Sequence, residues 1–193
     1  MPVDPVVAVL LSPTTVDRRA STAGTRIRAG NAMDRTRVAL LAGARQAVIE
    51  SGTRITMGQI ATLAGVAKAT LYNHFRTKES VLHALLLDEV SRIVDSCAGH
   101  PLAESLEQAA TSIATNPVLS TLSLLEPGTV ATMARVGASD GWSRARVAVH
   151  DVLDAEGRSG TDFVLRWLAS YLVSPAEVAG DDVAVLITGL PAR

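Results

Sequence analysis

The chain has 193 residues, of which 48% are hydrophobic, 19% charged and 3% aromatic, a composition typical of one or two small globular domains. A single cysteine, Cys97, excludes an intrachain disulfide and a cysteine-based zinc site, and it fits a reducing cytoplasm. The longest uncharged stretch, 108–125, is broken by polar residues and does not resemble a membrane span. The apolar run 6–11 lacks the preceding basic residues of a secretory signal, so we expect a cytoplasmic protein.

The net charge of −1 conceals an uneven distribution. Residues 1–87 carry 11 Lys and Arg against 5 Asp and Glu, a balance of +6, whereas residues 88–193 carry 7 against 14, a balance of −7. A basic half followed by an acidic half indicates an anion-binding module joined to a second unit.

Residues 1–33 are predicted to be a disordered basic arm. Prolines and glycines interrupt this segment, and no hydrophobic period runs through it. Its basic residues are arginines: Arg18, Arg19, Arg26 and Arg28. The sequence leaves open the alternative that the protein starts at Met33.

From residue 34 to residue 87, helical spacing of apolar residues predicts a compact domain. The first helix ends at Gly52, and its apolar face consists of Leu40, Leu41, Ala44, Ala47 and Val48. Thr56 begins a capping-box pattern that starts a short helix over 57–64. Gly65 separates it from a second short helix over 67–75, and a longer helix follows from 78 to about 95.

The second short helix combines an apolar face with a mixed polar face. Val66, Leu71 and Phe75 are spaced to point inward, and the outward residues are Lys68, Thr70, Tyr72, Asn73 and His74. Two short helices around a glycine turn are the geometry of helix-turn-helix DNA binding, in which the second helix enters the major groove. Lys78, at the N-terminus of the following helix, is predicted to contact phosphate.

Residues 60–79 read IATLAGVAKATLYNHFRTKE, and this run resembles the DNA-binding signature of the Tet-repressor (TetR/AcrR) family of bacterial transcription regulators. The resemblance extends more loosely over 37–87. It implies an all-helical homodimer with one DNA-reading head in each protomer. It also implies that Lys68, Ala69 and Asn73 face bases, while the residues that hold mainly the DNA backbone are Thr70, Tyr72, His74 and Lys78. We add Thr56, at the start of the first short helix, to the predicted DNA contacts.

Two positions depart from the family pattern. Ala67 stands where members often have Ser, so the second short helix lacks a side-chain cap, at a cost of about 1 kcal/mol. Gly58 stands where members often have a longer polar residue, so one DNA contact is expected to be missing.

Residues 88–193 are predicted to form an all-helical regulatory, ligand-binding and dimerisation domain, because the segment is rich in alanine and lacks alternating β-branched runs. The expected helices span 101–115, 117–126, 128–137, 140–156, 160–173 and 176–189.

The segment 102–136 is apolar and carries few charges, which is typical of a small-molecule pocket. The predicted ligand-contacting residues are Leu106, Ile113, Leu122, Leu125 and Met133. The alternative is a plain helical core, since an apolar stripe is more often packing than pocket.

Helices 140–156 and 160–173 hold the richest aromatic and aliphatic cluster, and residues 166–175 resemble a segment near the dimerisation helices of some family members. Buried aromatic anchors dominate interface energies, so the predicted dimer contacts are Phe163, Trp167, Leu168 and Tyr171. The alternative is that these residues belong to the core of one protomer.

Together these patterns predict a ligand-responsive DNA-binding regulator, a repressor that a small apolar molecule releases from a palindromic operator. Its expected partners are double-stranded DNA, a second copy of the chain and the small molecule, with no membrane, cofactor or metal. The sequence contains no nucleophile elbow, phosphate-binding loop or dinucleotide fingerprint that would indicate an enzyme. The alternative function is a helical small-molecule-binding or scaffold protein whose head no longer reads DNA.

Overall fold

A computed structural model describes residues 18–133, 142–174 and 180–193, without the side chains of 18–31, 133 and 180. Throughout these ranges the secondary structure is helical, apart from an isolated antiparallel bridge between Arg158 and Ala192. The helices are α1 (Arg18–Ser51), a 3-10 turn (Gly52–Arg54), α2 (Met57–Leu63), α3 (Lys68–His74), α4 (Lys78–Cys97), α5 (Leu102–Thr115), α6 (Pro117–Leu125), α7 (Pro127–Met133), α8 (Ser143–Ala155), α9 (Thr161–Val173) and α10 (Gly180–Gly189). The predicted all-α class is confirmed.

The first helix begins earlier than the apolar pattern indicated. α1 starts at Arg18, so the backbone of 18–33, which we expected to be disordered, is helical, whereas 1–17 lie outside the described residues. The last N-terminal proline is Pro13 and the next is Pro101. Alanine and arginine recur between residues 18 and 33, and both favour a helix when no proline interrupts it.

The chain forms two compact units, Met1–Arg37 and Val38–Arg193. In the first unit, the hydroxyl of Thr36 donates a hydrogen bond to the carbonyl of Ala32 at 2.9 Å. The second unit holds the helix-turn-helix, one continuous hydrophobic core and every site described below.

Gly43 fixes the contact between α1 and the end of α2. A Cβ at this glycine would lie 2.6 Å from the backbone nitrogen of Ala64, so a side chain there would collide with backbone. Around this contact, the buried apolar residues include Leu40, Ala44, Val48 and Ile60. The predicted inner face of the first helix is thus confirmed.

The C-terminal helices agree with the predicted spans to within a few residues wherever the structure describes them. Residues 134–141 and 175–179, which include the end of one predicted helix and the starts of two others, lie outside the described residues. Proline is the first residue of α6 and of α7, a position where its missing N–H costs nothing. α4 packs against α5 and α8, and α9 packs against the same two helices, so four helices share one interior. No described helix is both long and apolar enough to cross a bilayer.

Candidate functional site

Thr56 begins α2 as the sequence predicts. Its hydroxyl accepts a hydrogen bond from the backbone nitrogen of Gln59 at 3.2 Å, and the Gln59 side chain accepts one from the backbone nitrogen of Thr56 at 2.8 Å. This reciprocal pair is the capping box inferred from the pattern. After α2, Gly65 adopts a φ of +65°, a left-handed conformation that favours glycine and turns the chain into α3.

α3 buries one face and exposes the other. Leu71 is 0% exposed and Phe75, just beyond the helix, is 4% exposed, so both anchor α3 to the core. The exposed residues of the helix are Lys68, Ala69, Tyr72 and Asn73, and the partly exposed ones are Thr70 and His74. Ala67 occupies the N-cap without a side-chain hydrogen bond, as expected from the departure at this position.

The outward face of α3 offers donors, acceptors and a ring on one short surface. The Lys68 ammonium lies 6.0 Å from the centroid of the Tyr72 ring, at the outer limit of a cation–π contact. The chain contains only two lysines, Lys68 and Lys78, and they occupy the first turns of α3 and α4. This placement concentrates compact positive charge at the helix-turn-helix.

Lys78 forms a contact within the protein that the sequence did not indicate. Its Nζ donates a hydrogen bond to the carbonyl of Thr53, in the 3-10 turn, at 2.9 Å. Lys78 therefore braces the turn after α1 besides standing at the N-terminus of α4. In the same turn of α4, hydrogen bonds from the Glu79 backbone and from the Thr77 hydroxyl lower the pKa of the Glu79 carboxyl.

Residues 40–85 match the family model described as bacterial regulatory proteins, tetR family. Over these residues the chain is similar to that family. The match begins within α1 at residue 40 and continues through α2 and α3 into α4. It therefore covers the complete helix-turn-helix. In that family this region is the DNA-binding domain, and here it includes the exposed polar face of α3.

Several solved structures share the fold over most of the chain. AlkX, a TetR family repressor from Dietzia sp. strain DQ12-45-1b implicated in biodegradation of n-alkanes, is 20% identical, with 79% of this chain and 91% of that chain covered at a TM-score of 0.61. RolR, in complex with resorcinol, is 16% identical, with 85% and 91% covered at 0.57. The fatty acid degradation regulator FadR from Bacillus halodurans is 18% identical, with 81% and 97% covered at 0.51. No curated protein matches the chain in sequence.

A buried carboxylate joins three helices of the second unit. Glu89, on α4, is 1% exposed. Nη2 of Arg45, on α1, lies 2.5 Å from Oε1 of Glu89 as an ion pair, although the two groups are not aligned as a hydrogen bond. Nδ2 of Asn116 donates to the other carboxylate oxygen at 2.9 Å. We call these three residues the Glu89 relay.

Asn116 also fixes the start of α6. Its side-chain oxygen accepts hydrogen bonds from the backbone nitrogens of Val118 at 2.9 Å and Leu119 at 3.1 Å. The Glu89 relay was not predicted from the sequence. The available signal was a charged residue on an apolar stripe, because Glu89 follows Leu82 and Leu85 at helical spacing.

The other end of α6 reaches the 3-10 turn. A Cβ added at Gly52 would lie 2.8 Å from Cδ1 of Leu125, and Gly52 adopts a φ of +62°. Leu125 is 48% exposed and contacts the turn that follows α1. The start of α6 therefore contacts α4 through the hydrogen bond from Asn116 to Glu89. The end of α6 contacts the 3-10 turn through Leu125.

A cavity of about 350 Å³ lies among α4, α5, α8 and α9. Its walls are mostly apolar and include Ile93, Leu106, Ile113, Trp142, Val149 and Leu168. Of the predicted ligand contacts, Leu106 and Ile113 line this cavity, but Leu122 is buried elsewhere and Leu125 is beside Gly52. The side chain of Met133 lies outside the described residues. The cavity draws on four helices, whereas the prediction used a single continuous segment.

The predicted dimer residues divide between the surface and the core. Phe163 is 55% exposed, and Trp167 is partly buried and packs edge-to-face on Tyr171 with ring centroids 5.3 Å apart. Leu168 and Tyr171 are 7% and 6% exposed, because the helical repeat of α9 turns them inward with Leu165. Burial raises the pKa of the Tyr171 hydroxyl. Only Phe163 and Trp167 of the four remain accessible to a second chain.

Proposed function

We propose that this protein is a homodimeric repressor that binds a palindromic DNA operator and is released from it by a small, mainly apolar molecule. The observation that carries the proposal is the polar face of α3, which stays exposed while Leu71 and Phe75 anchor the helix. Such a regulator acts on the chromosome, so its compartment is the bacterial cytoplasm.

In this proposal α3 enters the major groove, where Lys68, Ala69 and Asn73 meet base edges. Contacts with the DNA backbone, which position the head, come from Thr56, Thr70, Tyr72, His74 and Lys78. A scaffold protein with an inactive head is the weaker alternative, because packing alone gives no reason for Lys68, Tyr72 and Asn73 to form an exposed polar face on α3.

The proposed second copy packs on the outer face of α9. Phe163 is 55% exposed on this helix, and Trp167 follows it one helical turn later. Exposed aromatic side chains one helical turn apart are typical of an interface core. A dimer is needed because two heads must reach successive major grooves, about 34–36 Å apart.

The cavity is the proposed ligand site, and the neighbouring helices provide a route to the head. Leu106 and Ile113 place α5 in the cavity wall, and α5 ends at Asn116 of the Glu89 relay. A ligand that binds one arrangement of α5 preferentially shifts the population of head arrangements. The solved structure of RolR, which shares the fold, is a complex with the ligand resorcinol, and this supports a small-molecule site.

The test begins with selection of a duplex operator from random sequence, followed by affinity measurements on that operator and on unrelated DNA. Lys68→Ala and Asn73→Ala should lower the preference for the operator, and each altered base contact is worth about 1–3 kcal/mol. Arg144→Ala removes one positive charge from α8 and serves as the control. The proposed base contacts would be contradicted if Lys68→Ala and Asn73→Ala left the preference for the operator unchanged. They would also be contradicted if Arg144→Ala lowered that preference as much as the other two variants do.

Lys78→Ala should weaken binding to every sequence and reduce the salt dependence by about one phosphate contact. Because Lys78 also holds the Thr53 carbonyl, the melting temperature of this variant is measured beside its DNA affinity. A lower melting temperature with an unchanged salt slope would assign Lys78 to bracing alone.

A further inference from the structure

The rim of the cavity is acidic in the part of the chain that the structure describes. The titratable acids that line it are Asp95 and Asp151, and no described lining residue is a lysine, arginine or histidine. Asp95 is paired with Arg144 on the surface. Asp151 forms no hydrogen bond or ion pair with any described residue. Unlike the charge of Asp95, the negative charge of Asp151 therefore has no opposite charge paired with it.

The other polar groups of the cavity wall contribute little net charge. The Ser105 hydroxyl donates toward the carbonyls of Cys97 and His100, at 3.3 and 3.1 Å. Burial raises the pKa of the Cys97 thiol, which keeps it neutral at pH 7. The C-terminus of α4 and the N-terminus of α5 meet at this edge, so their opposite partial charges offset each other. Among the described lining residues, Asp151 therefore decides the sign of the charge at the rim.

We propose that the cavity selects apolar ligands that are neutral or carry one positive charge, with the charged end at the rim beside Asp151, and that it discriminates against carboxylates. This inference rests on the proposed ligand-responsive function and names its ligand class. The apolar walls contributed by four helices hold the hydrocarbon part of such a ligand. A ligand carboxylate at the rim would meet the like charge of Asp151, whereas an ammonium would meet an opposite charge.

Three probes with the same eight-carbon chain test the proposal: octylamine, octanol and octanoate. Binding to the full chain is measured by calorimetry and by the change in tryptophan fluorescence, since Trp142 lines the cavity. We expect octylamine to bind most tightly, octanol less tightly and octanoate least. Because Asp151 is exposed to water, each step should be about two- to fivefold in affinity.

Asp151→Asn should remove the preference for octylamine and leave octanol unchanged. Asp154→Asn is the matched control, since Asp154 lies one helical turn away on α8, pairs with Arg193 and does not line the cavity. Octanoate binding as tightly as octylamine, or equal effects of Asp151→Asn and Asp154→Asn, would overturn the proposal.

Leu106→Trp fills the cavity, and Ala148→Phe fills it from a second helix; circular dichroism checks the fold of each. Loss of octanol binding in a folded variant supports the cavity as the site. Failure of all three probes to bind the wild-type chain, or undiminished binding in both filled variants, overturns it. Operator binding without any probe is measured separately, so failure of the ligand class is distinguishable from failure of the DNA-binding function.

Discussion

Replacing Glu89 by glutamine is the sharpest test of how the helix-turn-helix is held to the rest of the second unit. The substitution keeps the size of the side chain and removes its charge. Arg45 then loses its partner at 2.5 Å, while the amide oxygen of the substituted side chain can still accept a hydrogen bond from Asn116. The change therefore isolates the ion pair between α1 and α4 from the hydrogen bond to α6.

The expected loss follows from burial. Removing one member of a fully buried ion pair costs about 3–5 kcal/mol. The side chain of Arg45 is 29% exposed, and Asp88 remains 3.7 Å away as a second carboxylate, so we expect a smaller loss of about 2 kcal/mol. For a chain of this size that loss lowers the melting temperature by about 4–8 °C.

Asp88→Asn is the matched control, because Asp88 is the adjacent carboxylate and is partly exposed, at 27%. Its contacts with Arg45 and Arg92 are surface contacts, so this variant should lose less than about 1 kcal/mol. Thermal unfolding measures both variants, and a double-mutant cycle of Glu89→Gln with Arg45→Met should show at least about 1 kcal/mol of non-additivity. Equal losses in the two carboxylate variants, or an additive cycle, would refute the reasoning.

Three further predictions follow from single contacts. Gly43→Ala should destabilise the chain by about 1–3 kcal/mol in urea unfolding, because the new Cβ meets the Ala64 backbone. Gly58→Ala, whose new Cβ would lie 3.8 Å from its nearest neighbour, should be close to neutral. A larger loss of stability in Gly58→Ala than in Gly43→Ala would contradict this packing. Phe163→Asp should yield a folded monomer by light scattering while Val185→Asp, on α10, leaves the dimer intact; a Phe163→Asp dimer would move the interface. Cys97 should react with iodoacetamide more slowly than free cysteine at pH 7, because the raised pKa of its thiol leaves less thiolate. Octylamine bound in the cavity should slow this reaction further. A reaction rate equal to that of free cysteine would contradict the position of Cys97 in the cavity wall.

The elements of the helix-turn-helix could be predicted because their causes are local. The capping box at Thr56 and the turn at Gly65 each depend on neighbouring residues. The inward spacing of Leu71 and Phe75 also follows from one helix. These signals needed no knowledge of distant contacts. The start of α1 is the exception, because the arginine- and alanine-rich stretch before residue 34 has no apolar stripe that would reveal a helix.

The cavity and the dimer face could not be derived in the same way, since both depend on the rotation of one helix relative to others. A stripe along α9 indicates which residues share a face, but several faces carry apolar residues. Leu168 and Tyr171 lie on the inner face, and Phe163 lies on the outer one, although the sequence pattern grouped all three. Likewise, Trp142 and Asp151 reach the cavity from outside the segment assigned to the ligand.

The Glu89 relay explains why a charged group is useful at a position that apolar packing could fill. Apolar side chains can slide past one another, whereas the contacts of Glu89 hold Arg45 and Asn116 at fixed atoms. A shift of α5 that moves Asn116 therefore either carries Glu89 and α4 with it or breaks a part-buried hydrogen bond. At the far end of α6, Leu125 meets Gly52, beside the turn that Lys78 braces. In the proposed function, a movement caused by the ligand can therefore reach the DNA-binding head through two contacts, one at each end of α6.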